Sequence, residues 1–425
     1  MRLRLQRLAL QATGLFGMAA VLIVGGRVSL LILFFVLART ADPAQFGLFT
    51  VTLATCQLTS LLATLGSAPA AQSIVAPAIA RGRGRVARRY VGYAVLATSF
   101  GVALVSTAAL LVGLLFPDPE TVDVVYATAL LSPVMAASVL REFVARAFED
   151  TVMAFAPRDI VWSVLLAALV GTSPWIGRHL VVFATGLLAA VETVAWSLLW
   201  RKRVAPLPTG RRGPWAGKKW ISRSLALMAH YLGGPALGSV DVIFVGALGD
   251  LVIAGVYGVA SRLAPLMSVT QRFVVPVLAP RVARALVAGD RAALRNELWL
   301  GTLVGLSVAA PGILLLGWLA EPILALFGPR FVVGASALRI LAIAHAAIAL
   351  GAPFALVTSM GPNPWRSAVA VWAALAVSTI ALPLAIQRFG LIGAATAVAT
   401  GIIAYNAAMV ALSLPALRGC PPAGK

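Results

Sequence analysis

Acidic residues are scarce in this chain: 14 Asp and Glu stand against 34 Lys and Arg in 425 residues, and all charged residues together make up 11%. A water-soluble domain of that length needs a far larger charged share to cover its surface, so that class is excluded. Cysteine is as rare. Cys56 lies inside an apolar run and Cys420 in the tail, which excludes a disulfide framework and a metal cluster. The spacings of a P-loop, of His-Glu-x-x-His and of Gly-x-Ser-x-Gly are also missing. The common nucleotide-binding, zinc-protease and serine-hydrolase sites go with them.

What the chain has instead is apolar length. Hydrophobic residues make up 60% and the mean hydropathy is +0.95, which reads as an all-α polytopic membrane protein. With roughly 20 apolar residues to a span, segments fall at about 12–37, 46–68, 90–116, 121–140, 159–177, 180–200, 222–248, 252–279, 298–320, 334–360, 366–386 and 389–414. The first follows Arg2, Arg4 and Arg7 but runs far beyond the core of a signal peptide, so it reads as an uncleaved span.

Basic loops stay on the cytoplasmic side. With both termini there, 26 of the 34 basic residues fall inside, while the outer turns hold Arg39, Arg178, Arg330 and Arg388 beside Asp42, Asp118, Glu120, Asp123, Asp250 and Glu321. The formal charge of +20 is spread over short inner loops, where topology and anionic lipid account for it and nucleic acid is not required. No outer loop is long enough for an extramembrane domain.

The stretch Phe35–Phe49, FVLARTADPAQFGLF, closes one apolar segment, turns through Asp42-Pro43 and opens the next. Its design returns 208 positions later: Gly25-Gly26 maps on Gly233-Gly234, Asp42 on Asp250, Gly47 on Gly255, Phe49 on Tyr257 and Val51 on Val259. A shared register across two helices and their turn indicates duplication. The expected organisation is two pseudo-symmetric six-helix lobes, 1–205 and 221–425, joined by a basic Pro/Gly-rich linker at 206–220. Lobes of six spans run the same way through the membrane, related by an axis along its normal, with a cleft between them.

Ionisable residues inside spans are costly and mark candidate sites. Arg27 lies about 15 Å of helix below the tip at Leu37. Asp241 in the seventh span and Arg262 in the eighth share a similar depth, with Arg272 nearer the cytoplasm. Glu192 lies in the sixth span, His230 in the seventh, and Arg339 and His345 in the tenth. Two readings stand. Arg27, Arg262, Arg272 and Arg339 line a cationic cavity for an anionic headgroup, since guanidinium forks pair phosphate oxygens and stay charged. Alternatively, pairs such as Asp241 with Arg262 fix neighbouring helices. Asp241, Glu192, His230 and His345 are coupling or pairing candidates. Arg141, Glu142, Arg146, Glu149 and Asp150 read as ordinary pairing on a helix surface, with Glu142–Arg146 and Arg146–Asp150 each four apart.

The stretch LARTADPAQFGLF resembles the opening of the polysaccharide and oligosaccharide flippases (lipopolysaccharide/O-antigen type exporters) of the multidrug/oligosaccharidyl-lipid/polysaccharide exporter superfamily. Asp241-Val-Ile-Phe-Val-Gly246, Ala254-Gly-Val-Tyr257, Pro276-Val-Leu-Ala-Pro280, Ala288-Gly-Asp-Arg291, Leu326-Phe-Gly-Pro-Arg330, Leu338-Arg-Ile-Leu341 and Gly390-Leu-Ile-Gly-Ala-Ala395 follow in the order such proteins show. The resemblance implies a twelve-helix, two-lobed transporter, not an enzyme, without a metal or cofactor. Such a transporter moves polyprenyl-pyrophosphate-linked sugar across the bacterial inner membrane by alternating access.

Cavity arginines of the first and eighth helices in such flippases match Arg27 and Arg262. A basic residue of the second helix has no counterpart, since positions 46–68 hold no Arg or Lys. The implied partners are the lipid-linked oligosaccharide, membrane lipid and polysaccharide polymerase machinery around a monomer. A cation-coupled drug or metabolite antiporter of the same superfamily is the alternative. A membrane glycan polymerase or ligase ranks lower, because it wants a large outer loop.

Overall fold

Hydrocarbon offers the backbone no hydrogen-bond partners, so a chain this apolar must satisfy its amides within helices. The computed structural model describes residues 2–209, 217–360 and 365–418, apart from the side chains of residues 2–16, Ala19, Pro174, His230, Arg272, Phe273, Pro276, Pro280 and Val287. Helices connected by short turns make up almost all of these residues, and no strand occurs among them. The chain divides into two compact units, Met1–Pro235 and Ala236–Lys425.

Unit 1 begins with α1 (Arg2–Thr40) and α2 (Pro43–Ala63), joined at the tip the sequence marks. Asp42 caps α2 by accepting from the amides of Ala44 at 3.1 Å and Gln45 at 3.4 Å, and Pro43 supplies a first helical residue that needs no donor. Phe34 meets Phe46 edge-on at 5.6 Å and Phe49 at 6.3 Å, closing the hairpin. The second span breaks after α2 and resumes as α3 (Ser67–Ala80) through Gly66, whose φ of 71° is left-handed. A Cβ at Gly66 would stand 1.9 Å from the Ser224 carbonyl oxygen, so here a glycine is required both by backbone and by space.

Next come α4 (Gly84–Leu115), α5 (Pro119–Ala147) and α6 (Thr151–Ala156). A π-helical turn at Pro157–Trp162 leads into α7 (Ser163–Thr172), and α8 (Pro174–Arg178) and α9 (Leu180–Leu199) complete the run. Helix α10 (Gly217–Leu237) packs on this unit: Trp220 lies 5.3 Å from Tyr90 and 5.6 Å from Tyr93, and Tyr231 lies 5.7 Å from Phe143.

Unit 2 holds α11 (Val240–Leu248), α12 (Leu251–Leu263), α13 (Gln271–Ala288), α14 (Arg291–Phe327), α15 (Ala335–Met360) and α16 (Trp365–Arg418). Asp250 caps α12 through the Val252 amide at 2.8 Å, as its repeat partner Asp42 caps α2. Helix α16 would be about 80 Å long if straight, nearly three bilayer cores. It is instead two helices joined at Gly390, where φ is 57° and ψ −132°. They run back along each other. Ser378 Oγ donates to Ala397 O at 3.3 Å, and a Cβ at Gly393 would lie 1.9 Å from Ala385 O.

Among the described residues ten helices are long and apolar enough to cross a membrane, and the bent pair α10 and α11 makes eleven. Division of α16 at Gly390 supplies the twelfth, so the expected all-α architecture of about twelve spans is observed. The fifth span starts earlier than the apolar run at 159, because α6 and the π turn carry it back to Thr151.

Close helix approach generates a test. A Cβ at Gly101 of α4 would come within 2.0 Å of Ala63 O, whereas at Gly92 of the same helix nothing lies within 4 Å. Gly66→Ala and Gly101→Ala should each destabilise unit 1 by about 1–3 kcal/mol, and Gly92→Ala should not. Thermal unfolding of the purified protein in detergent measures the difference.

Candidate functional site

The polar interior of unit 1 starts with a side chain that has no water to turn to. Arg141, near the end of α5, is 0% exposed. It grips Glu192 of α9 with two parallel bonds, Nε to Oε2 at 2.6 Å and Nη2 to Oε1 at 3.0 Å. Its Nη1 donates to the Met153 carbonyl and, at 3.4 Å, to that of Ala154, both on α6. A buried ion pair is tolerable when its remaining donors are satisfied in this way.

This corrects the reading of residues 141–150 as surface pairing. Glu142 and Arg146 do pair one turn apart. Arg146 and Asp150 do not, because α5 ends at Ala147 and Glu149 adopts a φ of 58°, so the four-residue spacing no longer shares a helix face. Asp150 instead caps α6 through the Met153 amide at 3.2 Å and pairs with Arg203 at 3.3 Å.

A second layer is built on the π turn. Arg158 reaches Glu142 at 3.1 Å and Asp159 at 2.9 Å. Trp162 anchors the turn by donating to Ala184 O of α9 at 2.9 Å, and its ring lies 6.4 Å from Phe49 of the opening tip. Gly26 of α1 approaches so closely that a Cβ there would stand 2.7 Å from that of Asp159. The paired glycines of the first span therefore serve close packing against a charged turn.

The next residue, Arg27, is half-buried and lies in the field of Asp159, Arg158 and Glu142, yet makes no hydrogen bond or ion pair among the described residues. Four arginines (27, 141, 146 and 158) thus face three carboxylates (142, 159 and 192) within unit 1. One positive charge is in excess.

Asp159 was not among the residues the sequence singled out. It sits at the edge of an apolar run, where a charged pair reads as loop. Only the adjacency Arg158-Asp159 after Pro157 could have signalled it.

In unit 2, Asp241 of α11 is 3% exposed. It accepts from the Tyr257 hydroxyl of α12 at 2.8 Å and from the Val242 amide at 2.8 Å. Arg262, half-buried on α12, adds its field to Asp241, but the direct contact belongs to Tyr257. Arg339 of α15 forms a separate cluster with α14: it bonds Glu321 at 3.0 Å and the Gly317 carbonyl at 3.0 Å. His345 Nδ1 lies 3.4 Å from Ser268 Oγ. The side chains of Arg272 and His230 lie outside the described residues. No group of three His, Cys, Asp or Glu capable of holding a metal occurs among the described residues.

Glu192→Ala would leave the Arg141 guanidinium buried without its carboxylate and should cost about 3–5 kcal/mol. The apolar pair Arg141→Met with Glu192→Leu should recover much of that loss. Thermal unfolding in detergent, compared across the single and double variants, reads both.

The same fold occurs in solved transporters. An inward-facing multidrug resistance MATE family transporter of the MOP superfamily aligns with a TM-score of 0.65 and 15% identity, over 94% of this chain and 98% of its own. The lipid II flippase MurJ, in an inward closed conformation, aligns at 0.60 and 13%, over 95% and 91%. The Vibrio cholerae MATE transporter VcmN in the bent form aligns at 0.55 and 18%, over 92% and 98%. At these identities the likeness is one of fold. No curated protein matches the sequence. The sequence model described as polysaccharide biosynthesis protein matches residues 17–286, well over half the chain. This polytopic protein, in a membrane-transporter fold, belongs to the polysaccharide biosynthesis protein family.

Proposed function

We propose that the protein is a flippase that carries an oligosaccharide or polysaccharide repeat unit, linked to polyprenyl pyrophosphate, from the inner to the outer leaflet of the bacterial cytoplasmic membrane. One observation carries this reading: Arg27 brings an excess positive charge into the interior of the first span, beside a network whose carboxylates are already engaged by other arginines. Leaving a guanidinium in hydrocarbon with only carboxylates that other arginines already engage is costly. A pyrophosphate offers it two or more oxygens in a planar, bidentate arrangement, and the arginine keeps its charge throughout.

Arg262 is the second headgroup residue in this reading. The buried Asp241, held by Tyr257, is the coupling candidate. Alternating access by the lobes 1–205 and 221–425 carries the sugar across, with the polyprenyl tail left in the bilayer. The protein works as a monomer, its partners being the substrate, membrane lipid and the polymerase machinery, and no catalytic group is needed. A drug antiporter shares the fold, but a cationic drug calls for a surplus of carboxylates, and unit 1 has the opposite balance.

Replacing Arg27 by Gln should lower transport about 10-fold or more, the loss expected for one charge-assisted bond. Arg27→Lys should recover part of it, and Arg339→Gln, whose guanidinium is engaged by Glu321, should stay near wild type. The measurement is the amount of lipid-linked sugar held on the inner leaflet of a deletion strain complemented with each variant. Normal export by a stably inserted Arg27→Gln protein would sink the headgroup role.

A further inference from the structure

Unit 2 contains a cavity that the transport reading does not use. It has a volume of about 450 Å³ and lies along the first turns of α14, with Phe354 of α15 and Leu417 of α16 as its other walls. We propose that it holds a resident anionic phospholipid, distinct from the transported substrate.

The lining joins a charged side chain to apolar walls. Arg295, Leu298, Trp299 and Thr302 recur at three- and four-residue spacings and therefore share a face of α14. Arg295 stands exposed at the mouth and makes no hydrogen bond or ion pair among the described residues. The nearby carboxylate of Glu297 pairs with Arg281 at 3.6 Å, so the Arg295 charge is not neutralised there.

One turn further in, Trp299 is 65% exposed, as tryptophans at the headgroup level of a bilayer are. The remaining walls are the apolar side chains Leu298, Phe354 and Leu417. Thr302 Oγ1, about 10 Å along the helix from Arg295, is buried and has no hydrogen-bond partner among the described residues. A phospholipid likewise joins a charged phosphate to an apolar chain. Arg295 suits the phosphate, and the apolar walls suit the upper part of one chain.

The occupant is committed by charge and by place. Arg281, Arg284, Arg291 and Arg295 surround this end of α13 and α14, and positive-inside orientation turns such loops toward the leaflet rich in anionic lipid. The volume falls within the range of small-molecule sites, about 300–1,000 Å³. That accommodates a headgroup and part of a chain, with the rest of the lipid lying in the bilayer.

The test is native mass spectrometry of the full-length protein released from detergent, titrated separately with phosphatidylglycerol, phosphatidylcholine and free glycerol phosphate. Wild type should retain phosphatidylglycerol over phosphatidylcholine and ignore glycerol phosphate. Arg295→Gln should weaken phosphatidylglycerol retention about fivefold, the effect expected of one basic residue at an anionic surface. Arg178→Gln, with the same loss of charge on an outer turn, should not. Phe354→Trp, which fills the apolar wall, should weaken it as well. Equal retention of the two lipids, an Arg295→Gln protein that behaves like Arg178→Gln, or retention of glycerol phosphate alone would each overturn the proposal. The readout is lipid retention, so a failure of the flippase reading leaves this outcome unaffected.

Discussion

The two-pronged contact between Arg141 and Glu192 lets unit 1 keep charge where no water reaches it. It joins α5 to α9, and through the carbonyls of Met153 and Ala154 it also fixes the start of the fifth span. Once that span is fixed, the π turn that follows has a defined place. Trp162 locks it to α9, and Asp159 is presented to the glycine pair of α1. The position of Arg27 follows from this sequence of contacts. Removing one member of the innermost pair would loosen the layers built on it, since a buried charge left without its partner is strongly destabilising.

The internal repeat conserves geometry more closely than chemistry. Asp42 and Asp250 perform the same capping task at equivalent tips. Phe49 and Tyr257 occupy equivalent positions, but the phenol adds a hydroxyl, and that hydroxyl holds a buried carboxylate, Asp241. Unit 1 instead concentrates arginines and acids around the fifth span. Among the described residues, unit 1 therefore carries a cation-rich interior, and unit 2 holds the buried acid Asp241 through a hydroxyl.

Close approach of backbones recurs wherever helices must bring polar groups together. Gly26 admits Asp159, Gly66 admits the Ser224 carbonyl and Gly101 admits that of Ala63. Small residues of this kind replace the hydrophobic drive that helices lose in lipid. The same need explains why breaks in the spans, at Gly66, Pro157–Trp162 and Gly390, occur next to packed neighbours or at a turn.

By itself the sequence determined the membrane class, the pattern of about twelve spans and the place of both hairpin tips. These depend on composition and local periodicity, and an apolar run of about 20 residues has few alternatives in a bilayer. It also singled out Arg27, Glu192 and Asp241, since an ionisable residue in the middle of an apolar run stands out without any partner being known. What only tertiary structure decided was pairing. Glu192 meets Arg141 from 51 residues away, and Asp241 takes Tyr257 rather than Arg262 as its direct contact. Asp159 at the edge of its run gains meaning only when α1 packs on it. Such pairs depend on how helices are rotated about their axes, and rotation is set by packing among many side chains, which the spacing of residues along one chain does not encode.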